Sequence, residues 1–153
     1  MTSKFLKILI LLNFICPTVM AQLGESKKDI IAAFGTDYTA GTGDFDKPYI
    51  SYTDIANPED RQPYKVSIVF YFVIMDDGDE RCSHMKFIYP LSERASLTDY
   101  YNKTLTSMDS VTWRDPDTRY LYHIKERYPF CTLMIWLGVD EYSYSSLFGK
   151  SKN

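Results

Sequence analysis

Along residues 64–75, YKVSIVFYFVIM, side chains alternate with a period of two. Val66, Ile68, Phe70, Phe72 and Ile74 make a wholly apolar face, and Lys65, Ser67, Val69, Tyr71 and Val73 a mixed one. That period predicts a strand buried on one side. The acidic run Asp76-Asp77-Gly78-Asp79-Glu80 then predicts a turn, with Gly78 free to take a positive φ. The return strand is Cys82 to Tyr89, with Met85, Phe87 and Tyr89 on a face opposite Cys82, His84 and Lys86. Pro90 stops it, and a helix follows over about Ser92 to Met108, where Leu97, Tyr101, Leu105 and Met108 form one apolar stripe. Three further strands are expected at Val111 to Arg114, Arg119 to Lys125 and Phe130 to Val139. Asp115-Pro116-Asp117 and Arg127-Tyr128-Pro129 supply the turns between them.

Upstream, Ser26 and Asp29 have capping-box spacing, Ile30, Ile31 and Phe34 give an apolar side, and Gly35 suits a helix end. This predicts a short helix. Residues 36–63 are broken by glycine and proline and hold one expected strand, Tyr49 to Thr53. The order is helix, three strands, helix, three strands. Strands joined by short turns are antiparallel, and two one-sided helices bury their stripes best against one sheet. The expected fold is α+β: a two-layer domain with an antiparallel sheet of about five to six strands and two helices packed on one face.

The first 21 residues read differently. Lys4 and Lys7 precede an apolar stretch from Ile8 to Ile15, and Val19-Met20-Ala21 gives a small-residue cleavage site. The stretch is shorter than the roughly 20 residues of a membrane-spanning helix. Residues 1–21 are therefore expected to be a signal peptide cleaved after Ala21, sending a secreted or periplasmic protein out of the cytoplasm with no membrane insertion afterwards. Cys16 belongs to this leader, because Asn13, Phe14 and Ile15 are not the small residues a lipidation signal places before its cysteine. The 132 residues left of 153 suit one domain, 22–139, followed by a polar Ser/Tyr-rich tail, 140–153. The whole chain has formal charge −3; without the leader's two lysines, 15 basic residues face 20 acidic ones, a net −5. With no run of Lys and Arg in the sequence, neither nucleic acid nor an anionic membrane is an expected partner.

The start QLGESKKDIIAAFG, the acidic-glycine turn, the Cys-containing strand ending in Tyr89-Pro90, a helix, a strand with one Trp (Trp113) and a closing hairpin resemble a group of small exported Bacteroidota proteins of unknown function. This chain departs from the group by Cys131 in the last strand and by a longer Tyr/Ser tail. The resemblance implies an α+β fold and an exported address, and it carries no catalytic residues. In outline the helix-then-sheet order is also similar to exported binding domains of the β-lactamase-inhibitor type, a likeness of fold only.

Candidate chemistry is sparse. His84 and His123 sit beside lysines on the more polar faces of their strands, which predicts solvated surface groups rather than bases. Cys82 and His84, two apart on a strand, lie about 7 Å from each other, too far for a nucleophile and its base. No serine lies in a nucleophile elbow, and the two histidines and two remaining cysteines lack metal-ligand spacing. The run Asp76 to Glu80 lacks the alternation of a calcium loop, so no metal and no cofactor is expected. Gly41-Thr42-Gly43 lacks the strand and helix that flank a phosphate cradle. A disulfide between Cys82 and Cys131 is open to an exported chain but is not favoured, since the faces of the two strands are not related by the sequence.

Tyrosine is the compositional excess: 13, all after the leader. Most are expected to stabilise the sheet by cross-strand pairing. Tyr120 with Tyr122, and Tyr142 with Tyr144, are the expected contact surface, because tyrosine buries much area at low entropic cost. The expected function is a non-enzymatic binding or interaction module for a protein or a glycan. The alternatives are a small hydrolase using His84, His123 and Asp115, and a structural protein whose second sheet face is covered in an oligomer.

Overall fold

The computed structural model describes residues 22–43, 46–56 and 63–138. The expected leader, its cleavage site, and Tyr142 and Tyr144 of the tail lie outside the described residues. Helix α1 spans Lys27–Phe34. Ser26 caps it: its Oγ accepts from the Asp29 amide and donates to Asp29 Oδ2 at 2.6 Å. Gly35 ends it at φ 98°, with its amide bonded to the Ile31 carbonyl.

Among the described residues eight strands follow in one antiparallel sheet. They are β1 Thr39–Thr42, β2 Pro48–Ala56, β3 Tyr64–Ile74, β4 Glu80–Pro90, β5 Thr106–Ser107, β6 Thr112–Arg114, β7 Tyr120–Arg127 and β8 Phe130–Leu137, with helix α2 over Arg94–Thr104. Their spatial order is β1-β2-β3-β4-β8-β7-β6-β5. Each half of the chain is a helix followed by a four-strand meander, and the last strands of the two meanders meet at the centre.

The α+β class with an antiparallel sheet holds, but five to six strands was too few. The missed strands are β1, a glycine-containing TAGT with no alternation, and β5, two residues long. Helix α2 is shorter than the stripe suggested. The chain leaves the helix at Leu105, which is extended, so Tyr101 is buried while Met108 is 52 % exposed. Strand β7 begins at Tyr120 because Arg119 holds a left-handed φ of 63° in the preceding turn.

Both helices pack on one face, where Ile30 of α1 and Tyr101 of α2 join a core of Phe70, Phe72, Met85, Trp113, Leu133 and Ile135. Trp113 is fully buried, stacks at a tilt on Tyr101 and donates its Nε1–H to Asn102 Oδ1 at 2.8 Å. No described helix is long and apolar enough to cross a membrane.

Candidate functional site

The pairing register assigns every strand residue to a face. Phe70, Met85 and Ile135 stand in one cross-strand row under the helices, so Val69, Lys86, Met134, His123 and Thr112, one residue along, stand on the opposite, outer face. The next outer row is Tyr49, Tyr71, His84, Trp136, Leu121 and Arg114. It is aromatic across four adjacent strands.

A bulge builds the centre of this row. Tyr71 opposes His84 while Phe72 opposes Cys82, so Ser83 is extra in β4. Its Oγ donates to the Tyr71 carbonyl at 3.2 Å and lies 3.0 Å from His84 Nδ1. With the hydroxyl proton committed to Tyr71, the network assigns His84 the Nδ1–H tautomer. The imidazole stacks on Tyr71, ring centroids 4.4 Å apart and planes within 6°. Lys86 places its ammonium 4.4 Å from the same ring's centroid and donates to Tyr71 Oη at 3.3 Å. Tyr49 leans on Tyr71 at 5.6 Å. The glycine pair finds its purpose here: a Cβ on Gly41 would fall 2.6 Å from Tyr49 Oη, and one on Gly43 would fall 2.6 Å from Tyr71 Cε1. Glycine in and just after the edge strand leaves room for two tyrosine rings.

His84 is not the solvated group its polar neighbours suggested. It is 7 % exposed, and burial, with Lys47 and Lys86 adding repulsion, lowers its pKa to about 3. His123 is half-buried, its Nδ1 3.0 Å from Thr112 Oγ1, and burial lowers its pKa too. Two strand spacings and one two-residue step separate the histidines, about 12 Å. Asp115 caps the β6–β7 turn by accepting from the Asp117 and Thr118 amides. The structure therefore brings none of His84, His123 and Asp115 together.

The bulge also moves Cys82. Alternation placed it opposite Met85; the extra residue puts both on the core face, and Cys82 and His84 on opposite faces. Cys131 lies on the core face too, across from Tyr89. Both thiols are free and buried. They stand near opposite ends of β4, about 20 Å apart along the ladder, beyond the reach of a disulfide. Burial pushes the Cys82 thiol up to about 12 and raises that of Cys131. Among the described residues no group of three or more His, Cys, Asp or Glu could hold a metal ion. The acidic turn is occupied internally: Asp77 Oδ1 accepts from the Asp79 amide, Asp79 pairs with Arg81, and Glu80 pairs with Lys27. Beside it, a shallow cleft of about 370 Å³ is lined by Lys27, Lys28, Ile31 and residues 78–80, with its central charges already paired.

Tyr122 lies in the core, 4 % exposed and 5.3 Å from the Tyr101 ring, and Tyr120 packs half-buried at the core's margin. Their shared face is the helix-bearing one, so this pair does not form an exposed contact surface.

The outer face has a feature invisible along the chain. The Lys and Arg residues at its strand positions are Lys65, Arg81, Lys86, Arg114, Lys125 and Arg127, and no described strand places an Asp or Glu there. The strand acids Asp54, Glu80 and Glu126 alternate onto the other face. Of the six cations only Arg81 has a carboxylate partner among the described residues. The exposed cations stand around a closed centre: on this same face Trp136 is 1 %, Val69 and Met134 6 % and His84 7 % exposed. Comparison with protein-family models, with curated proteins and with solved structures finds no match.

Proposed function

We propose that this is an exported, non-enzymatic binding module whose contact surface is the exposed margin of the outer face of its sheet. One observation carries the reading: the two helices bury one face, while the margins of the other hold half-buried Tyr49, Tyr71 and Lys86, exposed Lys65, Lys125 and Arg127, and hydroxyls such as Ser51, Ser67 and Thr132 around a closed centre of Val69, His84, Met134 and Trp136. Sheet positions hold such groups rigidly, so little ordering entropy opposes contact with a partner. The leader read from residues 1–21 supplies the exported address, and a protein or a glycan of the envelope is the partner class. The contact surface moves from the tyrosines of β7 to those of β2 and β3.

Affinity capture from the envelope of the producing cells tests this. The wild-type protein should retain a component that a Tyr49→Ala/Tyr71→Ala variant of unchanged circular dichroism does not. Equal retention by both, or turnover of any substrate by the purified protein, would count against the proposal.

A further inference from the structure

We propose that residues 139–153, the tail that follows β8, fold back across the outer face of the sheet and close its centre as a second, smaller core. The margin named above as a contact surface stays open beside this closure. Depth of burial is the first ground. Val69 and Met134 are 6 % and Thr112 7 % exposed in one outer row, and His84 is 7 % and Trp136 1 % exposed in the next. Neighbours on a pleated sheet lie beside a side chain rather than over it, so an indole on a face open to water would keep its outer edge wet. Strand β8 points the same way. Leu133, Met134, Ile135 and Trp136 are consecutive, apolar and buried, the mark of a strand covered on both faces. Both helices lie on the other side, where Ile30 and Tyr101 join the main core.

Place and length select the covering segment. The closed centre runs from Val69 on β3 to Thr112 on β6, four strand spacings or about 19 Å, and is two rows deep, about 7 Å. Gly138 lies against Leu121, the cross-strand neighbour of Trp136, so the tail starts beside the patch. Its 15 residues, 139–153, reach up to about 50 Å when extended, enough to cross the centre and turn back. They bring Val139, Tyr142, Tyr144, Leu147 and Phe148 to an apolar surface. Their first charges, Asp140 and Glu141, are acids entering a face whose strand positions hold Arg114 and Lys86 and no carboxylate. Other segments fit less well. Residues 57–62 join Ala56 to Tyr64, about 23 Å along β2 from the Tyr49 row. Gly43 and Lys47 shelter the near edge, lying against Tyr71 and repelling charge on His84, but Trp136 stands two strands beyond Tyr71.

The test is paramagnetic broadening on the full chain with a nitroxide at Ser146→Cys; Cys82 and Cys131 are buried and should not take the label. Amide signals of Val69, Lys86 and Met134 should broaden far more than those of Lys28 and Lys103 on the helices. Equal broadening of the two sets, or no broadening of the first, would overturn the proposal. Acrylamide quenching reads the cover itself. Neither of the two tryptophans should be quenched readily in the wild type. A Tyr142→Ser/Tyr144→Ser/Leu147→Ser/Phe148→Ser variant of unchanged circular dichroism should expose one indole and shift its emission to the red, a signal that Trp136→Phe removes. A Phe45→Ser variant, and the chain without residues 1–21, should stay protected. Protection of Trp136 in the tail variant would sink the idea, as would its exposure by Phe45→Ser, by loss of residues 1–21, or on dilution of the wild type, which would put a second copy on the face. If the tail variant does not fold, the broadening pattern decides.

Discussion

Lowering the pH from 8 to 5 should destabilise this protein mainly through one imidazole. His84 is buried on the outer sheet face with Lys47 and Lys86 near it, and its pKa is about 3 against an ordinary value of 6.5. Between those two values the unfolded chain binds a proton that the folded chain refuses. Stability therefore rises with pH across that window, is fully present above about 6.5, and is lost as the pH falls towards 3. With these pKa values the loss between pH 8 and pH 5 is about 2 kcal/mol. For a domain of this size that lowers the melting temperature by about 6 °C. His123, also shifted downward, steepens the slope in the same sense. Asp109 and Asp115 lie below the usual carboxylate range, so their contributions fade at more acidic pH than this window. Urea unfolding followed by circular dichroism at pH 8, 7, 6 and 5 measures the slope, and a His84→Gln variant should lose most of it even if its stability at pH 8 is lower. An unchanged slope in that variant, or an NMR titration of the His84 ring near pH 6.5 in the folded protein, would refute the reasoning.

Two further outcomes follow from the core. Cys82 and Cys131 are buried thiols with raised pKa values, so neither should react with iodoacetamide at pH 8 until the chain unfolds; rapid labelling of either in the native protein, read by mass spectrometry, would contradict their placement. Trp113→Phe removes the indole donor to Asn102 and leaves a void against Tyr101, which should cost about 2–4 kcal/mol in denaturant unfolding; a loss under about 1 kcal/mol would mean that the site relaxes around the smaller ring.

Much of the fold was legible because its signals are local. The β3–β4 hairpin follows from period-two alternation around Gly78, and the β7–β8 hairpin from the turn at Tyr128-Pro129. The cap of α1 needs only Ser26 and Asp29, three residues apart. Strands β1 and β5 escaped because two to four small polar residues carry no periodic signal; they exist by pairing with β2 and β6. The candidate site was scarcely legible. Alternation showed that Tyr120 and Tyr122 share a face, but not that this face meets α2.

Within a strand, the sequence alone determined which side chains travel together, because backbone geometry sends every second one to the same side. Which sides of different strands coincide was decided only by tertiary pairing. A single extra residue at Ser83 reversed the expected relation of Cys82 to Met85, and the register carried Lys65, Lys86, Arg114, Lys125 and Arg127 from four strands onto one face. Hydrophobic burial selects that register by putting Phe70, Met85, Ile135 and Tyr122 under the helices in one row. The same register sets Lys65, Arg114, Lys125 and Arg127 around the margin of the opposite face, whose centre at Val69, Met134 and Trp136 is itself buried.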